Sequence, residues 1–167
     1  EHLGTVRPKT DALLTFAPGV PLMMRFGDCT PVLLCDPVQR IVGLAHAGWR
    51  GVVAGVVGAT VQTMVERLES KPEHVWGGIG PTIGPCCYEV GADVAKEIED
   101  ACPAGSHVTQ RVNGRIYADL PSAVEAQLKD VGIHQIEHSG LCTSCRVDEF
   151  FSHRAEHGQT GRFGIVM

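Results

Sequence analysis

No stretch of this 167-residue sequence approaches the roughly 18 consecutive apolar residues that a membrane-spanning helix needs. The opening residues, Glu1 to Asp11, also lack the apolar core of a secretory leader. With a net charge of −5 and no block of Lys and Arg, nucleic acid and anionic membrane are poor partners for it. Internal repeats and Pro/Gly/Ser linkers are absent as well. The expectation is therefore a soluble cytoplasmic protein forming a single domain over residues 1–167. A domain of about 150 residues buries roughly 68–70% of its unfolded surface, so a real core is available.

What the chain does contain is sulfur and imidazole: seven cysteines and eight histidines. The cysteine count is odd and the chain is neither short nor dominated by loops, which argues for reduced thiols rather than a disulfide framework. The segment Gly27 to Gly51, GDCTPVLLCDPVQRIVGLAHAGWRG, concentrates the chemistry. Two short apolar runs flank the turn sequence Asp36-Pro37-Val38-Gln39-Arg40, in which Pro37 fixes φ and Asp36 can accept from the backbone beyond it. That pattern predicts a hairpin with Cys29 and His46 close together at its open end. A thiol beside an imidazole is a metal site or a nucleophile with its base. The plainer alternative is a small buried cysteine and a hydrogen-bonded core histidine.

Apolar periodicity elsewhere predicts a strand over Leu22 to Phe26 and a helix of four to five turns from Val53 to Leu68. A strand over Val75 to Gly80 then enters a Gly/Pro-rich loop reaching Pro85. Further helices are expected over Ala92 to Ala101 and, capped by Asp119, up to Gly132, with a hairpin at Asn113-Gly114 between them. Strands close the chain at Ile133 to Glu137 and Arg162 to Met167, around an irregular stretch from Ser139 to Arg154. Strand pairs interspersed with helices favour an α+β class with mixed sheets over a doubly wound sheet.

Other candidates have competing readings. Arg50, Arg154 and Arg162 can contact an anion or can be solvated surface cations. Cys142-Thr-Ser-Cys145 and the vicinal pair Cys86-Cys87 have the residue type for zinc. The expected second pair, however, is also spaced by two to four residues, and adjacent cysteines seldom share an ion. Phe150 and Phe151 read as core. His153 and His157 have helical spacing but no glutamate between them to act as a general base.

Gly27-Asp28-Cys29-Thr30-Pro31, His46-Ala-Gly-Trp-Arg-Gly51, Ile83-Gly-Pro-Cys-Cys-Tyr-Glu-Val-Gly91, Cys142-Thr143 and Phe150-Phe-Ser-His-Arg154 with Gly161-Arg162 occur in this order. In these motifs the chain resembles the YfiH family, also labelled the polyphenol oxidase or laccase-domain family, from about Asp11 to the C-terminus. The resemblance implies a layered α/β/β/α sandwich with mixed sheets. It also implies a Zn²⁺ site of two histidines and a cysteine acting on purine nucleosides, by adenosine deamination or by phosphorolysis of adenosine- and inosine-type nucleosides with phosphate. Cys29 matches the cysteine ligand and His46 the second histidine. The first histidine belongs to an upstream QVHG-like segment that His2-Leu3-Gly4-Thr5 does not match, so the expectation is an N-terminally incomplete domain whose activity is impaired by a missing ligand.

In such a site Cys29 and His46 are both the metal ligands and the catalytic pair, and Arg50, Arg154 and the Gly80 to Gly84 loop are substrate candidates. A multicopper oxidase needs clustered HxH histidines, which the chain lacks. The rival reading makes Cys29 the nucleophile and His46 the base of a cysteine hydrolase, for example in the editing of peptidoglycan precursors. A non-catalytic scaffold that retains the fold is the other alternative.

Overall fold

A computed structural model describes residues 10–167; His2 lies outside the described residues. Its centre is the predicted hairpin, strand β3 (Thr30–Asp36) against strand β4 (Ile41–Ala47), antiparallel and in register from Thr30 opposite Ala47 to Asp36 opposite Ile41. The turn is closed by Asp36, whose Oδ1 accepts from the amides of Val38 at 2.8 Å and Gln39 at 2.9 Å. The other carboxylate oxygen takes the Ser70 hydroxyl, tying the hairpin tip to the chain beyond the next helix.

Around this pair a five-stranded sheet forms. Strand β1 (Ala12–Thr15) joins β4, β5 (Trp76–Ile79) joins β3, and β9 (Gln135–His138) lies parallel to β5 at the edge. One antiparallel set with one parallel pair makes the sheet mixed, as the sequence predicts. Both faces of the hairpin are covered, which is why its strands read as almost continuous apolar runs rather than alternating ones.

Val32, Leu34, Ile41 and Ala45 point into the main core, where they meet helix α2 (Val56–Leu68) through Val57, Val61 and Met64 and helix α4 (Leu120–Asp130) through Val124 and Leu128. The alternate residues Leu33, Val42 and Leu44 face a second core with Leu22, Phe26 and Ile165. That core lies beneath a two-stranded sheet of β2 (Met23–Phe26) and β10 (Phe163–Val166). Along this direction the layers run helix, sheet, sheet. A three-stranded sheet, β6 (Glu89–Val90), β8 (Arg115–Ala118) and β7 (Thr109–Val112), packs with helix α3 (Ala92–Asp100) beside them.

Local signals hold at the turns. Asn113 and Gly114 both take positive φ, as a tight hairpin requires. Asp119 caps α4 by accepting from the Ser122 amide at 3.0 Å. The helix expected over Val53 to Leu68 is present but starts three residues later, at Val56, after a separate short helix. Helix α1 (Trp49–Val53) ends at Ala54, Gly55 turns through φ 72°, and α2 starts afresh. Val52 of α1 and Val57, Val61 and Met64 of α2 all enter the same core, so the break leaves no trace in the apolar pattern. Phe151, read as core, is 46% exposed. It lies over Gly161, while Phe150 packs edge-on to Phe163 with ring centroids 5.3 Å apart. His153 lies in a turn, and His157 has φ 52°, so the pair has no helical register.

The buried carboxylate of Asp36 generates a pH prediction. Burial opposes its ionisation, but the Ser70 hydroxyl and the Gln39 and Val38 amides outweigh burial and hold its pKa below the usual carboxylate value. As pH falls, the unfolded chain therefore takes up the proton first. The stabilisation is complete above the unfolded value of about 3.9 and is lost as pH drops through the folded one. Asp36→Ala is expected to cost about 2 kcal/mol at pH 7 in urea unfolding, the scale of hydrogen bonds to a charged group. The gap between variant and parent should close in acid, and a gap unchanged at pH 3 would contradict this account.

Candidate functional site

At the open end of the hairpin Pro31 lies opposite His46, so Cys29, two residues earlier, comes up on the same side of the sheet as the imidazole. Both residues line one cavity of about 270 Å³, close to the lower end of the roughly 300–1,000 Å³ typical of small-molecule sites. Trp49, Arg50, Ile83 and Tyr88 complete much of its wall. Gly48 is needed here for space: a Cβ at that position would sit 2.8 Å from the Cys29 sulfur.

His46 is held from two sides. The buried ring of Phe26 stacks on it at 5.2 Å, and Asp11 places a carboxylate oxygen 4.0 Å from its Nδ1 while accepting the His46 amide on its backbone oxygen at 2.8 Å. Burial pushes the imidazole pKa down, against the pull of Asp11, with the Arg162 charge adding to the depression. Burial also pushes the Cys29 thiol up, helped by neighbouring Asp28 and opposed by Arg162. The pair thus rests as a neutral imidazole and a protonated thiol.

The loop before Cys29 is fixed by Asp28, which is only 8% exposed and sits at φ 92°. Its carboxylate accepts from the Thr143 hydroxyl and the Arg154 amide, each at 2.7 Å. Its carbonyl accepts from the Thr82 hydroxyl at 2.7 Å and the Ile83 amide at 3.0 Å. Three separate loops therefore converge on one residue beside the thiol.

Of the predicted substrate residues, Arg50 lies in the cavity wall with its guanidinium 4.4 Å from the centre of the Trp49 ring. Arg154 stands behind that wall rather than in it. Its guanidinium is 5.0 Å from the centre of the Tyr88 ring and donates to the Glu89 carbonyl at 2.8 Å. Arg162 crosses Gly27, where a Cβ would lie 2.7 Å from its Cδ. Within the Gly80 to Gly84 loop, Ile83 reaches the cavity. No spacing in the sequence singles out Asp11, Trp49 or Tyr88, which the fold brings into the cavity wall. Tyr88 follows the cysteine pair directly, and burial raises its phenol pKa, so the hydroxyl stays protonated.

A second cluster brings together four of the remaining cysteines, including the adjacent pair that sequence spacing makes unlikely partners. The sulfurs of Cys86, Cys87, Cys142 and Cys145 all lie within 4.8 Å of one another, a group that could hold a metal ion. The adjacent cysteines point to the same place because the chain curls there: the amides of Cys87 and Tyr88 both donate to the Gly84 carbonyl at 3.0 Å. The second pair, spaced Cys-x-x-Cys, comes from a loop that sequence spacing alone does not connect to the first.

A model of the family described as multi-copper polyphenol oxidoreductase laccase matches residues 2–167. Purine nucleoside phosphorylase YlmD of Geobacillus stearothermophilus is 39% identical over 166 residues, covering 97% of this chain and 61% of the relative. A purine nucleoside phosphorylase of Deinococcus radiodurans is 41% identical, with 94% and 60% covered. The crystal structure of the Bacillus licheniformis hypothetical protein YfiH superposes with a TM-score of 0.90 at 37% identity, covering 94% of this chain and 60% of that one. The chain thus spans about three fifths of the length of the relatives it matches. Its donor set does not fit a multicopper centre. The close group of candidate ligands among the described residues is all cysteine, and His46 is the one histidine in the wall of the cavity that holds Cys29.

The state of Cys29 can be read by alkylation. An unperturbed thiol is only about 3% thiolate at pH 7, and Cys29 lies below that fraction. After chelation, iodoacetamide should label Cys29 more slowly than free cysteine at pH 7, measured by peptide mass spectrometry. Labelling faster than free cysteine would restore the nucleophile–base reading.

Proposed function

This chain belongs to the multi-copper polyphenol oxidoreductase laccase family, and we propose that it is a purine nucleoside phosphorylase with companion adenosine deaminase activity. The reaction takes place at a Zn²⁺ site to which Cys29 and His46 contribute ligands. One observation carries this reading: a thiol, a neutral imidazole and a guanidinium face a single cavity walled by Trp49 and Tyr88. The names of relatives matched along nearly the whole chain support the substrate class.

The directions of the two shifts give no resting thiolate–imidazolium pair, the form a cysteine nucleophile works from. A thiolate nucleophile needs a depressed pKa, usually from an imidazolium beside it, whereas here the thiol is raised and the imidazole lowered. A neutral imidazole is the ligand form. Asp11 faces Nδ1 of His46 at 4.0 Å, which leaves Nε2 as the ring nitrogen for a metal, the arrangement in which a carboxylate orients a metal-bound histidine from behind. When bound, Zn²⁺ supplies Lewis acidity and can activate water near neutral pH.

Phosphorolysis breaks the bond from C1′ of ribose to N9 of the base and forms a bond from C1′ to a phosphate oxygen, the base leaving with a proton. Arg50, steadied on Trp49, is the cation for phosphate. Trp49 and Tyr88 offer flat surfaces to the purine, and the Tyr88 hydroxyl, kept protonated, is a donor for a ring nitrogen as negative charge collects on the departing base. Arg154 braces Tyr88 from outside. In deamination, water oxygen replaces the C6 amine and ammonia leaves, so that reaction has no need of the phosphate subsite.

The test is an assay run with and without phosphate. Inosine should give hypoxanthine and ribose 1-phosphate only when phosphate is present, while adenosine should give inosine in either case. Cys29→Ala and His46→Ala should each lower kcat/KM by roughly 100-fold or more, about 2.7 kcal/mol of transition-state stabilisation. Arg50→Ala should raise the KM for phosphate by about tenfold with little change for the nucleoside. Turnover that survives both Cys29→Ala and His46→Ala would refute the assignment.

A further inference from the structure

Four thiols that do not line the Cys29 cavity converge on one another. Cys145 Sγ lies 3.5 Å from Cys86 Sγ and 3.3 Å from Cys87 Sγ, and all four sulfurs fall within 4.8 Å of one another. Tetrahedral Zn²⁺ with Zn–S bonds of about 2.3 Å sets its four sulfurs about 3.8 Å apart, within the range found here. Four soft donors in such an arrangement select zinc or an iron–sulfur centre over harder ions.

The scaffold beneath the thiols is built without them. Thr82 and Cys142 form an isolated parallel bridge, with the Thr82 amide donating to the Leu141 carbonyl at 3.1 Å and the Thr143 amide returning to the Thr82 carbonyl at 3.0 Å. The Arg146 amide closes the Cys142 turn at 3.1 Å, which sets Cys142 and Cys145 side by side. Gly84 donates its amide to Cys142 Sγ at 3.3 Å, the type of backbone contact that supports a metal-bound thiolate. Cys86 and Cys145 are exposed, so an ion can enter from solvent.

We propose that Cys86, Cys87, Cys142 and Cys145 bind one Zn²⁺ as a tetrathiolate that staples the Gly84–Tyr88 turn to the Leu141–Arg146 turn. The site is separate from Cys29 and His46, and its role is structural. All four positions are filled by protein, leaving none for water or substrate. Each thiol still protonated gives up its proton on binding. The staple reaches the cavity through covalent neighbours: Tyr88 follows Cys87, and Thr143, next to Cys142, donates to Asp28 beside Cys29.

The experiment separates the two sites. The full chain carrying Cys29→Ser and His46→Ala is stripped with chelator under a non-metal-binding reductant and titrated with Zn²⁺ against a chromophoric competitor. Cys142→Ser and Cys145→Ser are then added on the same background. The first protein should bind one equivalent and gain thermal stability on binding, and the second should lose both. With Co²⁺ as the probe, the first protein should show tetrahedral d–d bands and thiolate-to-cobalt charge transfer, and Cys145→Ser alone should weaken the charge transfer by about a quarter, one thiolate in four. That spectrum keeps the test decisive if the multiple variant fails to fold. Failure of the Cys29→Ser/His46→Ala protein to bind Zn²⁺, metal content indifferent to Cys142 and Cys145, an iron–sulfur chromophore, or recovery of the four sulfurs as disulfides would each overturn the proposal. None of these outcomes bears on phosphorolysis, which is read in a separate assay.

Discussion

A single buried carboxylate organises the functional end of this molecule. Asp28 is almost wholly removed from water, and a charge there is tolerable only because both oxygens and the backbone carbonyl are used. Thr143, the Arg154 amide, Thr82 and Ile83 each supply one donor. These donors come from segments between 54 and 126 positions away in sequence. Removing the carboxylate would leave the Thr143 hydroxyl and the Arg154 amide without their acceptor and loosen two of the three loops at once. Cys29 inherits its position from this arrangement, being the next residue along.

The hairpin that carries Cys29 and His46 was legible from residue pattern alone, since its turn chemistry and its two apolar runs agree on one structure. The Asp119 cap and the Asn113-Gly114 turn were legible for the same reason, because the residues that dictate the conformation are adjacent in sequence. What stayed hidden depended on long-range closure. Cys87 and Cys145 touch across 58 positions, and adjacent cysteines look unsuitable as ligands until the curl at Gly84 is known. Asp11 is invisible as a partner of His46 until β1 lies against β4. The break at Gly55 is hidden for the opposite reason: a periodicity count reports which side is buried and is blind to where the helix axis changes.

Burial shapes the chemistry more than any single charge does. It drives Cys29 and His46 toward their neutral forms from opposite directions, so the cavity rests without a thiolate–imidazolium pair. A cation entering such a place must displace a proton from the thiol, which makes occupancy itself the step that charges the site. Arg162 is the neighbour that partly eases that ionisation, and its path across Gly27 brings the last strand of the chain to bear on the first loop of the cavity.

Gly48 ties the shape of the pocket to the absence of a single carbon. Its backbone is unstrained at φ −71°, so nothing about local conformation forbids another residue there. The obstacle is the Cys29 sulfur, 2.8 Å from where the first side-chain carbon would begin. A single added methyl would press on the sulfur first, because the next atom it meets, the Cys29 Cβ, lies 3.6 Å away. The thiol's position therefore depends on the missing side chain at residue 48, a constraint that the backbone of helix α1 and of the hairpin does not share.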